Sequence, residues 1–354
     1  MSAITGTSGI SEQQITDWIN LTMGNDALMG VTNYVEDIQE HILLKDMFSG
    51  AVQNEGGTRD FVNFRAMIDH NHSGAVAKLY QPNSYIQRTK TIPAQIGARM
   101  FKDHFFLDSR EESTQNKRSV MKRSVIERVA MELSWAAMMS EQFWGKPEDA
   151  TDEESIYGIP YWITASATEG FYGMNPSGFT AGKAGIDATA YDKARNWTAH
   201  AAAVSEEDFL AKVRKCARNI HFVSVVDFKS PGFNGKRRMY CSEDLIDPFT
   251  ALLKDMNQNV GTKFGFNEAI PTFGSVPVLW DANLDKRLVA ESDPLQYLYL
   301  VDGNSLKYTY LEGFKEHYLP AKPVDDMDYT FRVRKDTIGN VVCTDLRKQG
   351  VITL

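Results

Sequence analysis

Few residues in this chain have the types and spacing for chemistry, and each candidate fails on a specific requirement. Gly178-Phe179-Thr180-Ala181-Gly182-Lys183-Ala184 has the outline of a phosphate-binding loop. That loop needs four residues between its glycines, so that successive N–H groups face the phosphate, and a Ser or Thr after the lysine to hold magnesium. Here three residues intervene, Ala184 follows the lysine, and no apolar strand leads in. His70 and His72 could ligate a metal, but no third ligand clusters with them, and a loop pair of histidines is usually solvated. Cys216, Cys241 and Cys343 are far apart with no Cys-x-x-Cys pairing, so neither a zinc cluster nor a disulfide framework is expected. Buried, reduced thiols are. Asp325-Asp326, near Pro323, reads as surface charge. The Asn-x-Ser/Thr triplets at Asn20, Asn71 and Asn196 matter only in a secreted chain. The signatures of a serine hydrolase elbow, a zincin helix and a dinucleotide loop are all missing. The expectation is a protein without catalytic residues, cofactor or metal.

Bulk properties bound the partners. A chain of 354 residues is long enough for two or more lobes, because single cores stop growing near ~250–300 residues. Its net charge of -8 argues against a tight grip on nucleic acid, which calls for a basic surplus. The first residues lack the basic and apolar regions of a signal peptide. No apolar run approaches the ~18–20 residues that span a bilayer, so no membrane partner is expected.

Periodicity supplies the elements. Val31, Tyr34, Val35, Ile38 and Ile42 recur at helical spacing within an otherwise polar stretch, so residues 1–72 read as an extended arm carrying helices. Residues 73–107 read as a long two-stranded excursion, with Ala94, Ile96, Ala98 and Met100 alternating with polar neighbours. It carries Lys78, Arg88, Lys90, Arg99 and Lys102. A two-stranded ribbon is marginal alone in water; a basic ribbon on an acidic chain invites another copy as partner, and an ordinary hairpin packed on its own domain is the equal alternative. Ser109 and Glu112 form a capping box, and the spacing of Met121, Val125, Val129, Leu133 and Ala137 predicts a long helix over 109–144. Residues 145–204 are rich in Gly, Ala, Thr and aromatics without regular period, which in a compact protein marks a function or a partner. A mixed α/β lobe follows over about 205–295, with helices from Ser205 and Ser242 and strands near Arg238–Cys241 and Ser275–Trp280. Beyond Asp328, Tyr329, Phe331 and Val333 alternate with Thr330, Arg332 and Arg334. A turn at Ile338-Gly339-Asn340 then predicts a terminal β-hairpin closed by Val341-Val342-Cys343.

Three features together resemble the tailed-bacteriophage major capsid proteins of the Hong Kong 97 fold: the Gly/aromatic block over 158–199, the ending over 329–352, and the order of parts. The resemblance implies an α+β, Hong Kong 97-type capsid fold. Residues 1–72 would be the N-terminal arm, pinned by neighbouring subunits. Residues 73–107 would be the extended loop over a neighbour. A peripheral domain with spine helix and insertion would occupy 108–204, an axial domain 205–295, and return strands of the peripheral domain 296–354. Tyr85, Ile86, Arg88, Lys90, Ile96, Arg99 and Lys102 would make intersubunit contacts, and Val125, Val129 and Leu133 would belong to the spine helix. The implied function is a structural subunit that assembles as pentamers and hexamers into an icosahedral shell, made in the host bacterial cytoplasm. Its partners would be further copies of itself, scaffolding and portal proteins, and weakly touched DNA. The chain starts at Met1 with no added N-terminal domain, so any scaffold is expected to be separate. The alternatives are an encapsulin-type compartment, told apart by cargo enzyme in place of DNA, and a soluble enzyme, which would show a small oligomer and a polar pocket with shifted pKa values.

Overall fold

The structure, a computed structural model, describes residues 41–54, 61–67, 91–108, 117–220, 237–256, 272–273, 276–324 and 327–354. In chain order the elements are α1 (Ile42–Ser49), β1 (Val52–Gln53), β2 (Phe61–Met67), β3 (Thr91–Gly97), β4 (Arg99–Asp108), α2 (Lys117–Trp144) and α3 (Ile159–Trp162). Then come β5 (Trp197–His200), α4 (Ala211–Asn219), β6 (Arg237–Cys241), α5 (Glu243–Met256), β7 (Thr272–Phe273), β8 (Val276–Trp280) and α6 (Ala282–Glu291). The chain closes with β9 (Tyr297–Asp302), β10 (Leu306–Tyr310), β11 (His317–Val324), β12 (Met327–Cys343) and β13 (Gly350–Thr353). It divides into two units. Among the described residues one takes 100–139 and 313–338, and the other takes 40–99, 140–312 and 339–354.

In the first unit a layer of strands buries one face. Phe105, Leu107, Met131, Ala321, Phe331 and Val333 form a single apolar cluster. β11 runs antiparallel to β12, with Leu319 opposite Arg334 and Lys322 opposite Arg332. β4 also pairs with β12. The 28 residues of α2 reach about 42 Å at ~1.5 Å per residue. The Ser109–Glu112 cap lies outside the described residues. Val125 and Val129 are half-buried, whereas Ser124, Met131, Leu133, Trp135 and Met139 are buried. A stripe stepping by four drifts about 40° per step around a helix of ~3.6 residues per turn, so a core face mixes steps of three and four. Lys335 interrupts the apolar alternation of β12. Its amine is buried, donates to Glu132 Oε2 at 2.6 Å, and sits 3.7 Å from the Trp135 ring centroid.

The second unit holds a six-stranded sheet, ordered β5-β13-β9-β6-β8-β7 among the described residues. β6 and β8 are parallel, as a crossover through α5 requires, and β9 runs antiparallel to both β6 and β13. Trp197, Phe209, Val213, Met239, Phe249, Val278, Leu300 and Ile352 share its core. Ser205 caps the helical segment that leads into α4 by accepting from Asp208 N–H, as its sequence position predicts. The 205–295 segment does not complete this sheet alone, since β5, β9 and β13 come from outside it. The return segment therefore serves two sheets, with β10 pairing with residues 339–343 of β12.

Two strand expectations change. The chain does not end in a hairpin, because β12 runs unbroken through Ile338-Gly339-Asn340 and β13 pairs elsewhere. Gly339 sits in the ladder opposite Tyr310. A Cβ there would lie 2.4 Å from Thr309 O and 2.7 Å from the Tyr308 hydroxyl, so the glycine serves close packing and not a turn. The two-stranded pairing also falls earlier than 73–107: β2 pairs with β3, Val62 opposite Ile96 and Phe64 opposite Ala94, while β4 leaves to join β12. The buried phase shifts with that departure. Ala94 and Ile96 are buried on β3, and Phe101, Phe105 and Leu107 on β4, so Met100 is exposed. A one-residue slip moves every side chain to the opposite face.

Candidate functional site

β2 and β3 pair as an antiparallel two-stranded ladder, and residues 68–90 between them lie outside the described residues. The ladder's inner face, Val62, Phe64, Ala94 and Ile96, is turned away from solvent, while Phe61, Asn63, Arg65, Pro93 and Gln95 are exposed. That inner face lands on its own chain. The Phe64 and Trp162 ring centroids are 6.1 Å apart, and Asn340 Nδ2 donates to Gly97 O at 2.8 Å. Ile96, expected at a contact between subunits, is 2% exposed and already packed here. Arg99 is engaged too. Its Nη2 donates to Asp152 O at 2.6 Å, its Nε to Ser155 O at 3.2 Å, and its guanidinium lies 5.6 Å from the Tyr157 ring centroid. Sequence spacing could not reveal this clamp, because its acceptors are backbone carbonyls more than fifty residues on. Lys102 is exposed on β4 and has no ion pair among the described residues. Tyr85, Ile86, Arg88 and Lys90 lie outside the described residues, as do His70, His72 and Asp325-Asp326.

The irregular block over 145–204 folds around aromatics. Tyr157, Tyr161, Trp162 and Phe179 meet edge to face, with Tyr161–Phe179 centroids 4.9 Å apart and Tyr161–Trp162 centroids 5.2 Å apart. Their polar handles are satisfied. Trp162 Nε1 donates to Val341 O at 3.1 Å, and the Tyr161 hydroxyl accepts from Ala184 N–H at 2.8 Å. Asn340 ties block and strand together by accepting from Tyr157 N–H at 3.1 Å.

The loop with the phosphate-binding outline faces inward. Lys183 is 1% exposed, and its Nζ donates to Asn196 Oδ1 at 2.9 Å and Thr164 Oγ1 at 3.2 Å. No carboxylate faces it among the described residues, and burial pushes its pKa down from 10.5 to about 7. Gly178 and Gly182 have φ of 84° and 86°, which supplies the turns. Asn196, in one of the Asn-x-Ser/Thr triplets, is buried and donates from Nδ2 to Thr164 O at 2.9 Å and Trp197 O at 3.2 Å. The lysine and asparagine thus cross-brace the block. The cysteines are all free and buried, which pushes the Cys241 thiol up to about 12. Among the described residues, no three of His, Cys, Asp and Glu converge as metal ligands, and no helix is long and apolar enough to cross a membrane.

No family model matches the sequence, and no curated protein matches it either. Solved structures do. The chain of the cyanophage A-1(L) capsid asymmetric unit superposes with a TM-score of 0.60 at 15% identity, over 94% of this chain and 98% of that one. A chain from the capsid of a native GTA particle superposes with a TM-score of 0.54 at 8% identity, over 92% of this chain and 93% of that one. A chain from the capsid of Myoviridae phage XM1 gives 0.50 at 10% identity, over 94% and 97%. The chain has the α+β fold of these capsid chains, the Hong Kong 97-type capsid fold that the sequence resemblance implies.

Proposed function

We propose that this protein is a major capsid subunit. It assembles as pentamers and hexamers into an icosahedral shell that encloses phage DNA and resides in the virion. The observation that carries this reading is the match over 94% of this chain and 98% of the cyanophage A-1(L) capsid chain, which takes in both units and not a single lobe. The interior of the candidate loop adds support, since Lys183 and Asn196 are consumed in bracing the chain and offer a substrate nothing. The extended loop over 73–107 reaches over a neighbouring subunit, with Tyr85, Ile86, Arg88, Lys90 and Lys102 as contact residues. The wall touches DNA weakly, as the net charge of -8 favours. Assembly takes place in the host bacterial cytoplasm with scaffolding and portal proteins as partners. Closed shells need heterologous contacts that repeat with symmetry. Electron microscopy and light scattering of the purified chain, with and without its scaffold, test the reading. Closed particles of uniform size are expected, and monomers or dimers alone under both conditions refute it.

A further inference from the structure

The first unit has a sheet face whose side chains are exposed among the described residues. Phe105, Leu107, Ala321, Phe331 and Val333 point into one cluster, so the alternate residues of the same strands point the other way. Lys102, His104 and Phe106 on β4, Lys322 on β11 and Arg332 on β12 are exposed there. Phe106 is 46% exposed. Asp336 neutralises Arg334, but Lys102, Lys322 and Arg332 have no ion pair among the described residues. Lys322 and Arg332 are direct partners across the antiparallel ladder. Like charges in that position repel, so the face holds a local repulsion that an arriving anion would relieve.

The same chain carries a matching segment. Between Glu148 and Glu154 stand Glu148, Asp149, Asp152, Glu153 and Glu154. Glu148, Asp149, Glu153 and Glu154 are exposed. The turn is held in shape: Asp149 Oδ1 accepts from Thr151 N–H at 2.8 Å, Asp152 Oδ1 accepts from Glu154 N–H at 2.9 Å, and Arg99 clamps the carbonyls of Asp152 and Ser155. A prefolded acidic turn loses little entropy on docking.

We propose that the basic face of β4, β11 and β12 is a docking surface for the acidic turn Glu148–Glu154 of another copy of this chain. The proposal rests on the capsid reading above. Charge complementarity selects a second copy over nucleic acid, because a chain of net charge -8 presents acidic surface to its neighbours far more readily than it gathers DNA. Each exposed pair is worth only ~0–1 kcal/mol. A shell repeats the contact in every subunit, and contact between Phe106 and the neighbour adds apolar burial.

The test is a charge swap, scored by particle yield in electron microscopy and by circular dichroism of the unassembled chain. Wild-type protein must form shells; if it does not, the capsid reading fails and the swap is not the cause. Lys322→Glu with Arg332→Glu should keep the wild-type dichroism and lose at least tenfold in particle yield. Adding Glu148→Lys, Glu153→Lys and Glu154→Lys to that chain should restore the yield. The turn variants alone, whose residues are solvent-exposed, should also lose yield, which keeps the test decisive if the face variant does not fold. Normal assembly by either half-swapped chain overturns the proposal. So does normal assembly with reduced DNA content, which would assign the face to nucleic acid, or a full swap that fails to recover.

Discussion

Replacing Lys183 with methionine should stabilise the folded chain at pH 7 and lose that advantage as the pH rises. The amine is 1% exposed, with a hydroxyl and an amide oxygen as its hydrogen-bond partners. Burial therefore lowers its pKa from 10.5 to about 7. Between those values the unfolded chain binds a proton that the folded chain lacks, so this group's contribution to stability rises with pH across the window and is level below it. At about 1.4 kcal/mol per tenfold change in proton affinity, the burden on the folded state is roughly 4 kcal/mol at pH 7 and roughly 2 kcal/mol at pH 9. Methionine fills a similar volume without charge. It forfeits two hydrogen bonds worth about 1 kcal/mol each. Asn196 Oδ1 keeps the Thr164 N–H at 3.2 Å, so it is not stranded. Lys183→Met should thus gain roughly 2 kcal/mol at pH 7 and come out near neutral at pH 9. Urea unfolding of unassembled wild-type and variant protein at both pH values reads the difference directly. A variant destabilised at pH 7, or a difference between the proteins that does not change with pH, would refute the assignment of Lys183 as a buried amine whose hydrogen-bond partners are all neutral.

Two further perturbations address the frame. Val129→Pro, inside α2, removes one helix hydrogen bond and clashes with the preceding turn, so unfolding should show a loss of ~3 kcal/mol or more. A soluble variant of unchanged stability would contradict the helix. Gly339→Ala places a methyl 2.4 Å from Thr309 O, so β10 and β12 must separate. A loss on the order of 1–3 kcal/mol is expected, with faster amide exchange at Thr309 and Tyr310 as the local signature.

Sequence by itself determined the features that depend on near neighbours. The long helix, the Ser205 cap, β6, β8 and the alternation of Phe331 with Val333 were legible because their signals are local periods and caps. Tertiary structure decided whatever turned on partners distant in the chain. Gly339 reads as a turn from its neighbours alone, yet Thr309 and Tyr308 crowd its α-carbon and make it a ladder residue. Ile96 and Arg99 read as surface contacts of a basic ribbon. Ile96 is buried because its strand pairs with β2, and Arg99 is held by carbonyls of the acidic turn. Nothing in the loop over 178–184 marks Lys183 for burial, and the closing of the aromatic block around Asn196 buries it. The division has one physical cause. Helix periods and caps involve residues a few positions apart, whereas strand pairing and burial join residues tens to hundreds of positions apart, and one sequence does not state which of these will meet.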